Sequence, residues 1–376
     1  MRPAVSATSG WRIDELGGKQ KLVRGAGGEA WRIERRDSQL RVAGDGADAT
    51  PWRTGPFVAR ATEGGFVQYD GKRYRGELWF TATDTGILVV NRLPVEDYLR
   101  GVVPLELGTR RITDRAALEA QAIAARSYTY IRVPSPSAVQ PASGWHMVAT
   151  VTNQIYGGVE AEHLLVNQAI DATTGLVLRY AGLTVDAPYY SACGGKTAVP
   201  TDAWRDARDQ PYLKSVDDID LSTGKPYCDI NPRNHWVEEL GEQQVNDAVR
   251  RALASLGSKQ QTTMTVRDVA IGERTASGRV GALVFRTDRG EVTIRARDVR
   301  AVLGDARGAI LSSTYFSVDR EAHSGGRVTG LTLRGNGNGH GVGMCQWGAI
   351  GRARAGQDAR TILQHYYPGT AVGFAD

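Results

Sequence analysis

Apolar residues recur at helical spacing in three stretches of the chain and alternate with polar ones through much of the rest. In "TDRAALEAQAIAARSYTYI", 113–131, the positions Ala116, Ala120, Ile123, Ala124, Ser127 and Ile131 share one face, with Thr113 or Asp114 placed to cap the start. The small residues on that stripe suit close packing. A second amphipathic helix is predicted over 242–256 from Val245, Ala248, Val249, Ala252, Leu253 and Leu256, with Gly257 as its stop. The tail "DARTILQHYYPG" predicts a short helix ended by Pro368. Alternating runs such as "AWRIERR" and "QLRVAG" predict short strands in residues 1–56. "GGFVQY" and "RYRGELWF" flank Asp70-Gly71, a hairpin signal, and "GALVFRTDRGEVTIRA", 281–296, predicts another hairpin. "RVPSPSAVQPASG", 132–144, is a Pro/Ser-rich loop.

Strands and helices mix without strict β-α-β alternation, which predicts an α+β fold: a β-rich core of antiparallel strands with a few packed helices. The expected organisation is a small β-rich segment over 1–56 and a main domain over 57–376, with 235–330 an inserted helix-plus-hairpin subdomain. The 376 residues include 45 glycines, about 12% against about 7% in average usage, which adds turns to the picture. Net charge is +5 without a Lys/Arg block, so nucleic acid is not an expected partner. The longest aliphatic run, "ILVV", is far too short to span a membrane. The opening "MRPAVSATSG" lacks an apolar core and is not a signal peptide as it stands, so the protein is cytosolic or its leader is absent from this chain.

Three segments concentrate residues able to do chemistry. "NRLPVEDYLRGVVPLELG", 91–108, places Glu106 after Val102, Val103, Pro104 and Leu105, on what reads as an apolar turn. Such an acid either caps or pairs with an arginine such as Arg126, or works as a general acid whose proton an apolar shell retains. "YYSACGGKTA", 189–198, and "GNGNGHGVGMCQWGA", 335–349, are glycine-rich. Glycine pairs expose amides and admit a close ligand. Ser191, Lys196, His340 and Gln346 would add polar contacts suited to a saccharide, while the plainer reading is tight turns with polar surfaces. The "GNGNGHG" string lacks the ending of a phosphate-binding loop. Cys345 and His340, five residues apart in one loop, are a weak nucleophile–base pair. Cys193 and Cys228 are the disulfide candidates in an oxidising compartment, and zinc held by Cys193, Cys228, Cys345 and a histidine is the alternative.

Taken together and in order, these segments resemble the SpoIID/LytB (stage II sporulation protein D / amidase enhancer) domain family. The resemblance also rests on "ALEAQAIAARSYTY", "QIYGG" at 154–158, "AWRDARDQPYLKSVDD", "GRVGALVF" and "ILQHYYPGT", and covers residues 60–371. It implies an extracytoplasmic protein (cell wall, periplasm or secreted) acting on peptidoglycan. Enzymatic members are lytic transglycosylases that cut between N-acetylmuramic acid and N-acetylglucosamine and leave 1,6-anhydro ends; others enhance an N-acetylmuramoyl-L-alanine amidase. By resemblance Glu106 is the catalytic acid, and Arg126, Tyr190, Ser191, Gly195, Lys196, His340 and Gln346 line the substrate cleft. The expected partners are glycan strands and a cell-wall amidase, with no cofactor. Some members bind zinc beside the "QxY" motif through a His and two Cys; here "GWHMVATVTNQIYGG" offers His146 without a cysteine, so no metal is expected there.

Overall fold

A computed structural model describes residues 4–18, 21–44, 48–62, 64–133, 144–257, 264–305 and 307–375. Most of the Pro/Ser-rich loop, 134–143, lies outside them. The chain divides into two compact units: 1–112 with 128–176, and 113–127 with 177–376. The fold is α+β, as the mixed periodicities predict.

The first unit is built on antiparallel strands β1 (Ala4–Ala7), β2 (Trp11–Glu15), β3 (Lys21–Gly25), β4 (Trp31–Arg36), β5 (Gln39–Gly44), β6 (Phe57–Ala61), β7 (Val67–Tyr69), β8 (Lys72–Tyr74), β9 (Glu77–Ala82) and β10 (Ile87–Arg92). They form two five-stranded sheets, β5-β4-β1-β7-β8 and β10-β9-β6-β2-β3. The alternation noted in the sequence buries one face of each sheet, and both contribute to one core containing Val5, Ile13, Leu40, Val42, Phe57 and Phe80. Two of the five strands of the leading segment are hydrogen-bonded to strands beyond residue 56, β1 to β7 and β2 to β6. Asp70 and Gly71 both take positive φ, 51° and 72°, and join β7 to β8 by the tight turn their sequence predicts.

Helix α1 (Val95–Leu107) follows β10. The stretch around Glu106 read as an apolar turn is therefore the last turn of a helix. Leu99, Val102, Val103 and Leu107 recur at helical spacing and are buried, and this stripe holds the helix together although Pro104 removes one amide donor inside it. Glu96 and Asp97 occupy the first turn, where carboxylates meet the positive end of the helix dipole. Gly108, at φ 79°, ends it. Helices α2 (Arg115–Arg132) and α3 (Leu164–Ala172) come next.

In the second unit, Asp114 at the start of α2 holds Arg354 through two hydrogen bonds of 2.7 and 3.0 Å. A short helix α4 (Pro200–Ala203) precedes the predicted helix-and-hairpin region. There α5 (Glu242–Ser255) and α6 (Ala296–Leu303) pack with two three-stranded antiparallel sheets. One sheet joins His235–Gly241, Arg327–Asn336 and Phe316–Ser324; the other joins Val266–Arg274, Val280–Thr287 and Gly290–Arg295. Their shared core includes Val249, Leu283, Phe285, Val299, Leu331 and Leu333. A two-stranded parallel ladder, Tyr189–Tyr190 with Met344–Cys345, links the two glycine-rich segments, and α7 (Gln346–Arg354) and α8 (Ala359–Tyr366) follow.

Phe285 is fully buried at the centre of that core. Phe285→Ala should destabilise the protein by about 3–5 kcal/mol through lost apolar transfer and the cavity left behind. Urea unfolding followed by tryptophan fluorescence measures this, and a loss below 1 kcal/mol, on the order of a surface substitution, would show the core to be loosely packed.

Candidate functional site

Glu106 stands in the last turn of α1, half-buried rather than enclosed, which corrects the expectation of a fully apolar shell. Its Oε1 accepts a hydrogen bond from the Ile155 amide at 3.2 Å. Ile155 belongs to "QIYGG", so the structure joins two motifs 49 residues apart. Gly101 has no side chain where a Cβ would run into the Tyr156 ring, and a Cβ on Gly157 would lie 2.9 Å from Leu105. The Gly157 amide donates to the Gly101 carbonyl at 3.1 Å. Tyr156 stacks on Tyr98, with centroids 5.2 Å apart, and its hydroxyl donates to Asn91 at 2.7 Å. Gln154 accepts from Thr129 at 3.1 Å. Burial, reinforced by the Glu106 charge, pushes the Tyr98 phenol upward, so it remains a neutral hydroxyl. The other acids of α1 are engaged elsewhere: Glu96 accepts from the Gly175 amide at 3.2 Å, and Asp97 lies 3.8 Å from Arg75 and 3.7 Å from Arg100.

The other seven expected site residues belong to the second unit. Arg126 is fully buried on α2. Gln346, at the start of α7, is also buried and donates toward Gln121 of α2 at 3.4 Å. Tyr190 is buried beside His340, with ring centroids 5.2 Å apart. Gly339, at φ 115°, is required there because a Cβ would sit 2.8 Å from Tyr190. Gly195 takes φ 107° and accepts from the Asp218 amide through its carbonyl at 2.8 Å. Ser191, Lys196 and His340 keep partial exposure, and Lys196 pairs with Asp217 at 3.4 Å.

His340 retains some solvent contact, yet backbone groups engage both its nitrogens. Nδ1 accepts from the Val342 amide at 3.1 Å, which leaves Nε2–H to donate to the Tyr189 carbonyl at 3.0 Å. That arrangement requires the neutral ring. Burial pushes its pKa down to about 4, and the Arg300 and Arg279 charges act in the same direction. Trp204, 40% exposed, lies against the His340 ring with centroids 4.9 Å apart. Sequence reasoning included Trp204 in a motif without giving it a role. An exposed indole with an ordered polar neighbour offers a sugar ring an apolar face.

Beneath these loops lies a buried polar cluster. The ligand atoms of Cys193, Asp218, Cys228 and Cys345 all fall within 4.8 Å of one another. The three cysteines are free thiols: Cys193 and Cys228, expected as a disulfide, stand with Sγ atoms 3.5 Å apart. Asp218 accepts from Arg352 Nε at 2.8 Å and from the Tyr366 hydroxyl at 2.8 Å. Burial raises its pKa, against the opposing pull of Arg352 and Tyr366. Burial likewise pushes the Cys193 and Cys345 thiols up, whereas hydrogen bonds from its two partner thiols push Cys228 down.

Between its ordinary value of 6.5 and about 4, the His340 ring takes a proton in the unfolded chain but not in the folded one. Its contribution to stability is therefore complete above the unfolded value and declines as pH falls toward 4. His340→Gln should flatten the pH dependence of the unfolding free energy in that window by about one proton. An unchanged slope in denaturant titrations would mean that the folded ring is protonated.

A family model described as Stage II sporulation protein matches residues 83–180, the span that carries Glu106, α2 and "QIYGG". A second, described as a domain of unknown function, matches residues 228–343. An uncharacterized protein of Brachyspira hyodysenteriae is 31% identical over 312 residues, 83% of this chain and 75% of that one. Stage II sporulation protein D of Bacillus amyloliquefaciens is 28% identical over 298 residues, 76% of each chain. The amidase enhancer of Bacillus subtilis is 27% identical over 350 residues, which cover 81% of this chain and 45% of the enhancer. The ordered motifs, the matched span around Glu106 and these relatives together establish that the chain belongs to the SpoIID/LytB family.

Proposed function

We propose that this protein is a lytic transglycosylase of peptidoglycan with Glu106 as its single catalytic carboxyl group. The supporting observation is the 3.2 Å hydrogen bond from the Ile155 amide to Glu106 Oε1, which fixes a partly exposed carboxyl group with an uncharged backbone donor. In this mechanism the protonated Glu106 donates to the glycosidic oxygen between muramic acid and glucosamine as that bond breaks. The muramic residue becomes oxocarbenium-like. The Glu106 carboxylate then removes the proton from that sugar's C6 hydroxyl, whose oxygen closes onto C1 as a 1,6-anhydro ring. Water is not consumed, so the second carboxylate of ordinary glycosidases has no task. That Glu96 and Asp97 are engaged elsewhere agrees with this chemistry. Ser191, Lys196, His340 and Trp204 carry hydroxyl, cationic and aromatic groups suited to glycan, with Arg126, Tyr190, Gly195 and Gln346 supporting them. The work would take place outside the cytoplasm, where the polymer lies.

The name of the Bacillus subtilis relative favours a second reading, in which the protein binds glycan and stimulates a cell-wall amidase without cutting. Purified glycan strands separate the two. The parent should release fragments with anhydro-muramic ends, identified by mass spectrometry, and Glu106→Gln should lose at least about 100-fold of that rate, the scale of one general acid, while keeping its circular dichroism. Equal digestion by both proteins would refute the assignment of Glu106. Absence of anhydro ends from the parent, together with faster release of stem peptides by an added amidase, would establish the enhancer.

A further inference from the structure

We propose that Cys193, Asp218, Cys228 and Cys345 form a closed structural zinc site beneath the glycine-rich loops. The four ligands come from four separate segments: "SACGGK", "SVDDID", the 3-10 turn Tyr227–Ile230 and "GMCQWGA". All four are buried, and the mutual limit of 4.8 Å brackets the spacing a tetrahedral ion imposes. With zinc–sulfur bonds of about 2.3 Å, neighbouring sulfurs stand about 3.8 Å apart. Here Cys193 Sγ is 3.5 Å from Cys228 Sγ and 3.2 Å from Asp218 Oδ2.

Backbone amides point at two of the three sulfurs. The Gly195 amide points at Cys193 Sγ at 3.3 Å, and the amides of Cys193 and Gly348 both point at Cys345 Sγ at 3.2 Å. Amide donors aimed at sulfur are the outer-shell pattern of metal thiolates. Gly348 is compelled by the same crowding, since a Cβ would collide with the Tyr366 hydroxyl and Asp218 and lie 3.1 Å from Cys345 Sγ. A Cys193–Cys228 disulfide would leave Cys345 and its two amide donors without a purpose.

Charge supports the same conclusion. Three thiolates and one carboxylate carry four negative charges in a buried space. Arg352 binds Asp218 at 2.8 Å, and the fully buried Arg279 donates to the Cys193 carbonyl at 3.0 Å. A divalent ion with these two guanidinium groups brings the sum to zero. Three soft sulfurs and one oxygen at near-tetrahedral spacing select zinc rather than magnesium or calcium. With every position filled by protein, the ion would be a staple for the loops bearing Ser191, Lys196 and His340. None of the four ligands belongs to the "GWHMVATVTNQIYGG" segment that holds His146.

The test uses the full chain, purified under reducing conditions and reconstituted with zinc salt. Elemental analysis should find about one zinc per chain, as one closed tetrahedral site requires. Thiol reagents should react slowly until a strong chelator is added, and thermal stability should then fall. Cobalt substitution should give thiolate charge-transfer absorption that Cys345→Ser and Asp218→Asn alter; if either variant fails to fold, the parent's metal content and cobalt spectrum decide. A reconstituted chain without metal, with either three reactive thiols or an intact mass two hydrogens lighter from a disulfide, would overturn the proposal. Iron with sulfide absorption in place of zinc would overturn it equally. None of these readouts depends on glycan cleavage.

Discussion

The ion pair between Asp218 and Arg352 is the constraint on which the second unit's glycine-rich loops depend. The carboxylate is wholly inaccessible and the guanidinium nearly so. Two such charges leave water only where further hydrogen bonds complete them, and removing one partner of a buried pair costs about 3–5 kcal/mol because the other is left uncompensated. Tyr366 and Cys193 supply those further bonds to Asp218. The Asp218 amide then donates to the Gly195 carbonyl, and the Tyr227 amide to the Asp218 carbonyl. One aspartate thus ties α7, α8, the "SACGGK" loop and the Tyr227 turn to a common point.

The environment of Glu106 follows a different rule. A backbone amide meets its Oε1, and that amide is delivered by a loop whose glycines allow close approach to α1. The Tyr98–Tyr156 stack and the Tyr156–Asn91 hydrogen bond set the height of that loop over the helix. Packing and a backbone amide take part in positioning the group, which keeps access to solvent.

Much of this was legible in the sequence because periodicity and turn chemistry are local. The stripe from Val245 to Leu253 marks α5, and Asp70-Gly71 marks a turn whose two positive φ angles few other residues adopt. Pro104 concealed the end of α1, since proline reads as a break unless the apolar stripe on either side outweighs its missing donor. The pairing of residues 4–44 with β6 and β7 was not legible, because strand partners are chosen by long-range packing that no local pattern encodes. Glu106 and the two glycine-rich segments stood out by composition. Asp218 and Trp204 did not, because an acid in "SVDDID" and an indole in "AWRDAR" gain meaning only from Arg352 and His340, distant in sequence.

The contrast between the two carboxyl groups bears on what each can do. A carboxylate enclosed with a guanidinium, a phenol and a thiol cannot exchange its proton with a substrate, whatever its pKa, because nothing from outside reaches it. Asp218 is such a group, and its chemistry is to hold its neighbours. An acid–base catalyst must meet the opposite requirement: orientation by the protein together with contact from outside. Glu106 meets both, through the Ile155 amide and its partial exposure. The sequence offers many acids, but burial divides these two by role. The buried one holds the glycine-rich loops together, and in the proposed mechanism the half-exposed one moves the proton.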